Sequence, residues 1–490
     1  MRTGRLRLLL PLLGLAAGLA PLRILPAQET LVLDAPQLFT AVDEDLVQNG
    51  RVVVRGGRIL AAGPRSGIPV PEGAKVLRLG GCTLLPGLID LHAHILVGTP
   101  AGGGEAWETD PALWEGRLAG FLRSGVTSVR DLGDLPEEIL ELRRRERAGE
   151  LLAPRIFAVG PIVTAPGGHP NPRTITIRAS AEEVERVALR VDSAEEARAA
   201  ARHLHALGVD AIKCVYTGGP AFGGLPKLKE ECLRAVTEEA HRLGLRVVCH
   251  TDTLEDARTA LQAGVDGLEH GVDVPGQEVD EAFLELLRAS GAFYVPTLSV
   301  LEAFLLPVEF EGILDWPETR RSVPRRVRES LRKHPRVAAL RNNPAYARSV
   351  RARLEASRAN LQRVAEGGGR IALGSDCGNF LTFFGPATVR EVELMAESGL
   401  GPARALLAGT RDAARHLGRG EDLGTLEPGR LADLLAVRGN PLRDPAVLRN
   451  PVLVMKGGEI LDLEDLEERI QGTPAETGAG SGSEAGQASG

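Results

Sequence analysis

The chain has 490 residues, enough for about two to four domains or for one large barrel with an appendage. Apolar residues make up 43% and charged residues 25%, and 58 Lys+Arg stand against 65 Asp+Glu for a net charge of -7. This balance argues against wholesale disorder, a collagen-like repeat and a polytopic membrane protein, and it removes the electrostatic case for nucleic acid as the main partner. Aromatic residues at 3% offer little for stacking bases or sugars. Cys82, Cys214, Cys232, Cys249 and Cys377 form no CxxC pair, so the sequence suggests neither a thiolate zinc site nor a disulfide framework.

The chain opens with Arg2, Arg5 and Arg7 ahead of the apolar run Leu8 to Leu22, and Leu25-Pro26-Ala27 offers a small residue for cleavage before Gln28. This is the pattern of an export signal. The competing reading, a membrane anchor, meets a run shorter than the roughly 20 residues a bilayer needs, interrupted by Pro11 and Pro21. The mature protein is therefore expected to be periplasmic or secreted, with no stable membrane insertion.

Two distant segments resemble one another, Arg51 to Leu60 (RVVVRGGRIL) and Val452 to Leu461 (VLVMKGGEIL). Each is an apolar strand, a Gly-Gly turn and a second strand, which is a hairpin signal. Chance could supply two such hairpins. The reading followed here is that both ends join one small β-sandwich and leave the intervening chain to form a separate body.

Between them, apolar or β-rich runs recur at Leu88–His94, Thr127–Leu132, Arg155–Gly160, Asp210–Tyr216, Arg246–His250, Gly267–His270, Phe293–Leu298 and Ile371–Asp376. Helical periodicity separates most of them, as in Ser193–Leu207 and Lys227–Leu243, which Gly208 and Gly244 close. Eight strands alternating with helices predict an α/β fold, a parallel (β/α)₈ TIM barrel; the open doubly wound alternative lacks a GxGxxG after the first strand. The expected organisation is an export signal at 1–27, sandwich parts at 28–85 and 419–468, a barrel at 86–418 and a disordered tail at 469–490. An Arg-rich helical insertion lies near 305–365. It reads as a solvated helical hairpin able to form a lid, against the alternative of a nucleic-acid surface.

His92 and His94 are two residues apart on the first run, so they share one strand face and can grip one metal ion. Val247-Val-Cys-His250, Gly267-Leu-Glu-His270 and Ile371-Ala-Leu-Gly-Ser-Asp376 each end in a ligand type, at the strand ends where barrel enzymes keep their sites. Four histidines and an aspartate at such positions converge on a metal. Lys213 would put an amine inside the barrel, where desolvation opposes its charge. It can pair with a carboxylate, serve as a phosphate ligand beside Gly218-Gly219, or react as the neutral amine with carbon dioxide to give a carbamate that bridges two cations.

These residues resemble the metal-dependent amidohydrolase superfamily, and within it the imidazolonepropionase-like group that includes prolidase-type metallo-dipeptidases. The resemblance runs from the Gly-Gly hairpin near Arg55 to the one near Lys456. It includes Leu85-Pro-Gly-Leu-Ile-Asp-Leu-His-Ala-His94, Gly125-Val-Thr-Ser-Val-Arg-Asp-Leu-Gly133, Gly167-Gly-His169, Ile212-Lys213, His250, Glu269-His270, Gly374-Ser-Asp376, Leu431-Ala-Asp-Leu-Leu-Ala-Val437 and Gly439-Asn-Pro441. It implies a binuclear site, most often zinc. His92, His94 and Asp376 would hold the more buried ion, His250 and His270 the more exposed one, and carboxylated Lys213 would bridge both. Because imidazolonepropionase looks mononuclear and without the bridging lysine, Lys213 argues against that activity.

The implied reaction is hydrolysis of an amide C–N bond in a small substrate, a dipeptide or N-acyl amino acid first, by a metal-bridging hydroxide. Coordination brings the pKa of water to about 7, and Asp376 would carry the proton to the leaving nitrogen. His169 would donate to the carbonyl oxygen, or else be a solvated loop histidine. Tyr216 would cap the substrate or pack in the wall, and Arg130 would anchor a substrate carboxylate or pair with Asp131. His203, His205, His241 and His416 are expected to face outward from helices. The alternatives are a lactam or lactone hydrolase with the same centre, and a non-catalytic exported metal- or partner-binding barrel. Homo-oligomerisation is left open.

Overall fold

The structure is a computed structural model, and it describes residues 29–96, 111–171, 185–219, 224–309 and 312–472. The expected export signal and the tail beyond residue 472 lie outside these residues. Among the described residues no helix is long and apolar enough to cross a membrane.

The amino-terminal segment forms β1 (Leu31–Phe39), β2 (Leu46–Arg55), β3 (Arg58–Pro64), β4 (Lys75–Arg78) and β5 (Cys82–Pro86). Ten strands follow: β6 (Leu88–Ala93), β7 (Val126–Asp131), β8 (Arg155–Ala158), β9 (Ile162–Thr164), β10 (Ala188–Arg190), β11 (Ala211–Val215), β12 (Arg246–His250), β13 (Gly267–Glu269), β14 (Phe293–Val295) and β15 (Arg370–Ile371). The chain closes with β16 (Leu434–Arg438), β17 (Pro451–Lys456), β18 (Glu459–Ile460) and a helix at Leu463–Gln471. That helix runs past residue 468, where a disordered tail was expected to begin. Its Asp462 cap accepts from Glu464 N and Asp465 N, and Leu466 and Ile470 are buried.

Both Gly-Gly hairpins fall in one eight-stranded sheet, ordered β18-β17-β16-β5-β1-β2-β3 with β4 on β1. The two turns meet. Gly57 (φ +74°) lies so close to its counterpart that a Cβ there would stand 2.8 Å from the Gly457 carbonyl oxygen, so any side chain is excluded. Ala432 N donates to Gly57 O at 2.8 Å and Gly458 N to Ala432 O at 3.0 Å, which ties the chain ends together.

The intervening strands are parallel, in a three-stranded sheet β6-β7-β8 and a seven-stranded sheet β10-β9-β11-β12-β13-β14-β15. Seven of the eight expected runs stop one to three residues early or match, and the eighth is short: β15 is Arg370–Ile371 and holds one residue of the expected Ile371–Asp376. The third run continues past Gly160, whose φ of +65° breaks it, into an unanticipated strand β9 that pairs Val163 with Cys214 of β11. Backbone bonds link the two sheets at both margins, through Asp210 N to Ala158 O (2.8 Å), Leu91 N to Leu373 O (3.0 Å) and His94 N to Cys377 O (2.8 Å). The helices read from periodicity form at Ala194–Leu207 and Glu230–Arg242. The first starts where Ser193 Oγ accepts from Glu196 N and ends at Gly208, φ +74°.

The Arg-rich segment is a series of helices rather than a hairpin: Leu306–Glu309, Pro317–Ser322, Arg325–Lys333, Pro335–Arg341 and Pro344–Glu366. Prolines at the starts of four of them break the chain at each turn. Leu306, Leu331, Val337 and Leu340 pack with Phe380 and Leu381 into a core of their own, so the segment is not merely solvated.

Candidate metal centre

His92 lies in β6, His94 one residue past its end, Lys213 in β11, and His250 ends β12. Strand alternation alone would send Glu269 and His270 to opposite faces. His270 instead adopts φ +67°, a left-handed conformation uncommon for a residue with a side chain, and Asp376 does the same at +56°. These departures from extended backbone re-aim both side chains just past their strand ends. Asp90 pins the first and last runs together: it accepts from Ser375 N (3.0 Å) and from the Ser375 and Thr388 hydroxyls (2.6 Å each).

One ligand atom each from His92, His94 and Asp376 lies within 4.8 Å of the others. Asp376 Oδ1 stands 3.4 Å from His92 Nε2 and 3.3 Å from His94 Nε2. The opposite ring nitrogens are occupied by acceptors, His92 Nδ1 against Glu269 Oε2 at 2.8 Å and His94 Nδ1 against Gly133 O at 3.0 Å. Each acceptor holds the proton on Nδ1 and turns the Nε2 lone pair to the cluster, the arrangement metal-binding imidazoles use. His270 joins from the side, its ring centroid 4.8 Å from His92 and 4.1 Å from His250, with Nδ1 2.7 Å from Thr297 Oγ1. His250 Nε2 contacts Asp252 Oδ1 at 3.1 Å, and His169 reaches the rim with its ring 5.8 Å from His250.

Burial holds His92, His270 and His169 well below the usual imidazole range, so they are neutral. Burial would raise Asp376, but His92 and His94 outweigh it and keep the carboxyl below its ordinary value. Neutral imidazoles and an ionised carboxylate are the ligand forms a divalent cation requires. Lys213 is 2% exposed and, among the described residues, its Nζ has no hydrogen-bond partner. Burial lowers its pKa, opposed by the charges of Glu269 and Asp376. Beside this donor set the buried amine is not held in a hydrogen-bonded ion pair among the described residues. The residues present therefore fit the metals implied by the sequence.

Other expectations change. Tyr216 is three residues beyond Lys213, an odd separation that turns it to the other face. Its ring packs toward the helices under the Lys227 ammonium, 4.6 Å from the centroid, so it does not cap a substrate. Arg130 is buried and spends its fork on Glu269 Oε1 (2.7 Å) and Leu91 O (2.8 Å); its carboxylate partner is Glu269, neither Asp131 nor a substrate. His416, expected to face outward, is 1% exposed.

Glu269, Asp252 and Thr297 orient ligand-type histidines, yet none carried a role in the sequence reading. Glu269 had a visible signal, an acid at the end of an apolar run. From the insertion, Arg353 of helix Pro344–Glu366 pairs with Asp273, whose N donates to Asp252 O at 3.1 Å.

Residues 83–461 match the Amidohydrolase family. The chain belongs to that family. It is 28% identical over 464 residues to the ochratoxinase of Aspergillus niger, covering 85% of this chain and 84% of the relative. It is 27% identical over 475 residues to the imidazolonepropionase of Paracoccus denitrificans, covering 88% and 100%. Among solved structures, a Xaa-Pro dipeptidase with methionine bound in its active site superposes with a TM-score of 0.70 at 27% identity, covering 89% and 100%. The chain is accordingly a hydrolase acting on carbon–nitrogen bonds.

Proposed function

We propose that this amidohydrolase is exported, holds two divalent metal ions, most simply zinc, and cleaves the amide bond of a dipeptide or N-acyl amino acid. In this reading the parallel strands close as a (β/α)₈ barrel, which the bonds at both sheet margins support, and the eight-stranded sheet builds the accompanying β-sandwich. The observation that carries it is Lys213 Nζ, buried without a partner beside His92, His270, Asp376 and Glu269. The neutral amine adds to carbon dioxide, forming an N–C bond and releasing a proton, and the resulting anion joins the ligand set. His92, His94 and Asp376 would hold one ion, and His250 and His270 the other.

When bound, the metals polarise a carbonyl and lower the pKa of water. Asp376 orients its carboxylate through Asn379 Nδ2, which donates to Oδ1 at 2.7 Å. A carboxylate oxygen of Asp376 takes the proton of the attacking water and returns it to the leaving nitrogen, which is too basic to depart as an anion. The neutral His169 ring donates a hydrogen bond to the substrate carbonyl oxygen as negative charge develops there. Glu269 and Thr297 keep His92 and His270 in place.

Elemental analysis and a panel of dipeptides and N-acyl amino acids test this. Two ions per chain with hydrolysis of panel members are expected, and Asp376→Asn lowers kcat by about 10²- to 10⁴-fold. Metal-loaded protein inert to the whole panel removes the substrate reading, and lactam or lactone ring opening then identifies the cyclic alternative. Protein recovered from the periplasm with Gln28 at its amino terminus tests export.

A further inference from the structure

We propose that the cleft at the opposite, amino-terminal ends of the parallel strands binds a small, multiply charged anion bearing phosphate or paired carboxylates. The cleft encloses about 790 Å³ between the starts of β12, β14 and β15 and the helices Gly401–Ala408 and Arg411–His416. That size suits a metabolite-sized ligand.

Arg246, Arg370 and Arg404 line it. Among the described residues none of the three has a carboxylate within ion-pair distance. Their hydrogen bonds run to backbone carbonyls near helix carboxyl ends. Arg246 Nη1 donates to Arg415 O at 2.7 Å and to His416 O, Arg370 Nη1 to Gly291 O at 3.2 Å, and Arg404 Nη2 to Ala365 O at 3.2 Å. A guanidinium carries five N–H donors in a planar fork, so these bonds position each group and leave most of its donors available.

The lining acids do not neutralise them. Asp412 is taken by Arg411 and Arg415, Glu421 by Arg430, and Asp266 by His241 and Val247 N; Glu44 stands exposed, without an ion-pair partner among the described residues. The second observation is independent of these charges. His416 also lines the cleft, is 1% exposed, and among the described residues has no hydrogen-bond partner at either ring nitrogen. Burial keeps its ring neutral, so one nitrogen carries an N–H that lacks an acceptor. Three guanidinium groups without an ion-pair partner among the described residues face one unpaired lining acid, Glu44, so the cleft is short of acceptors for them. A compact anion supplies them and the missing negative charge together.

The test is calorimetric titration of the metal-loaded full chain with inorganic phosphate and, separately, with citrate at low ionic strength. Saturable binding of one anion per chain is expected, weakened by rising salt. Arg370→Glu and Arg404→Glu, both at solvent-accessible positions, should each weaken it about tenfold or more, and Arg370→Lys should recover part of the affinity. Circular dichroism checks that the variants fold, and hydrolysis measured without the anion should be unchanged. Phosphate bound without citrate points to a phosphorylated ligand, and the reverse to a polycarboxylate. No saturable binding of either, or binding indifferent to both charge reversals, as for an anion sitting on the metals, overturns the proposal. The outcome is independent of whether the metal-centre reading holds.

Discussion

Replacing Lys213 by methionine keeps an unbranched side chain of similar length and removes the amine, which separates its cost to the fold from its part in the chemistry. Nζ is buried and makes no hydrogen bond to the described residues, so in metal-free protein it is a polar group taken from water without compensation. Such burial costs about 1–3 kcal/mol in proteins. Chelated Lys213→Met should therefore be about 1–3 kcal/mol more stable than chelated wild type, read from urea midpoints at equal slope. Activity should move the other way. Without the bridging anion, metal content should drop from two ions toward one, and kcat should fall by about 10²-fold or more. Circular dichroism in urea, elemental analysis and a hydrolysis assay cover the three readouts. A metal-free variant less stable than wild type would mean that the amine is satisfied in the fold. A variant retaining both ions and full rate would mean that Lys213 bridges nothing.

Glu269→Gln leaves the buried Arg130 guanidinium without its counter-charge, a loss of about 3–5 kcal/mol in stability. It also weakens the acceptor that orients His92, so metal affinity measured by chelator competition should fall about 10- to 100-fold; unchanged stability would refute the pair's role. Glu391 is buried against Leu298 N and Ser299 N, and burial pushes its carboxyl up to about 8. Above the ordinary carboxyl value the unfolded chain has released this proton and the folded chain has not. Its contribution therefore declines by about 1.4 kcal/mol per pH unit up to pH about 8 and is flat beyond. Urea titrations of Glu391→Gln should show a shallower fall between pH 6 and 8 than wild type; parallel curves would place the carboxyl at its ordinary value.

The clustering of His92, His94 and Asp376 was readable because parallel strands bring their carboxyl ends to one place. His92 and His94 needed nothing beyond strand alternation. Asp376 was read as the last residue of a strand, whereas β15 stops at Ile371 and the aspartate reaches the cluster through a left-handed turn. Of the alternatives left open, Tyr216 takes wall packing, and Arg130 forms a buried pair with Glu269 in place of Asp131. Nearness in sequence to a ligand does not say which face a side chain takes or which distant group claims it.

Periodicity, turn glycines and runs of apolar residues are properties of neighbouring positions, and they carry eight of the ten parallel strands, the helices between strands, the meeting of the two Gly-Gly hairpins and the type of chemistry. Pairings of buried charge join segments far apart in the chain, as Glu269 does with Arg130 and His92, and Arg353 with Asp273. Which ionisable groups become neutral, which are paired and which are left without a partner depends on desolvation and on neighbours that exist only once the chain is packed. Lys213 belongs to both levels: its place in a strand is written in the local pattern, and its solitude is a product of the fold.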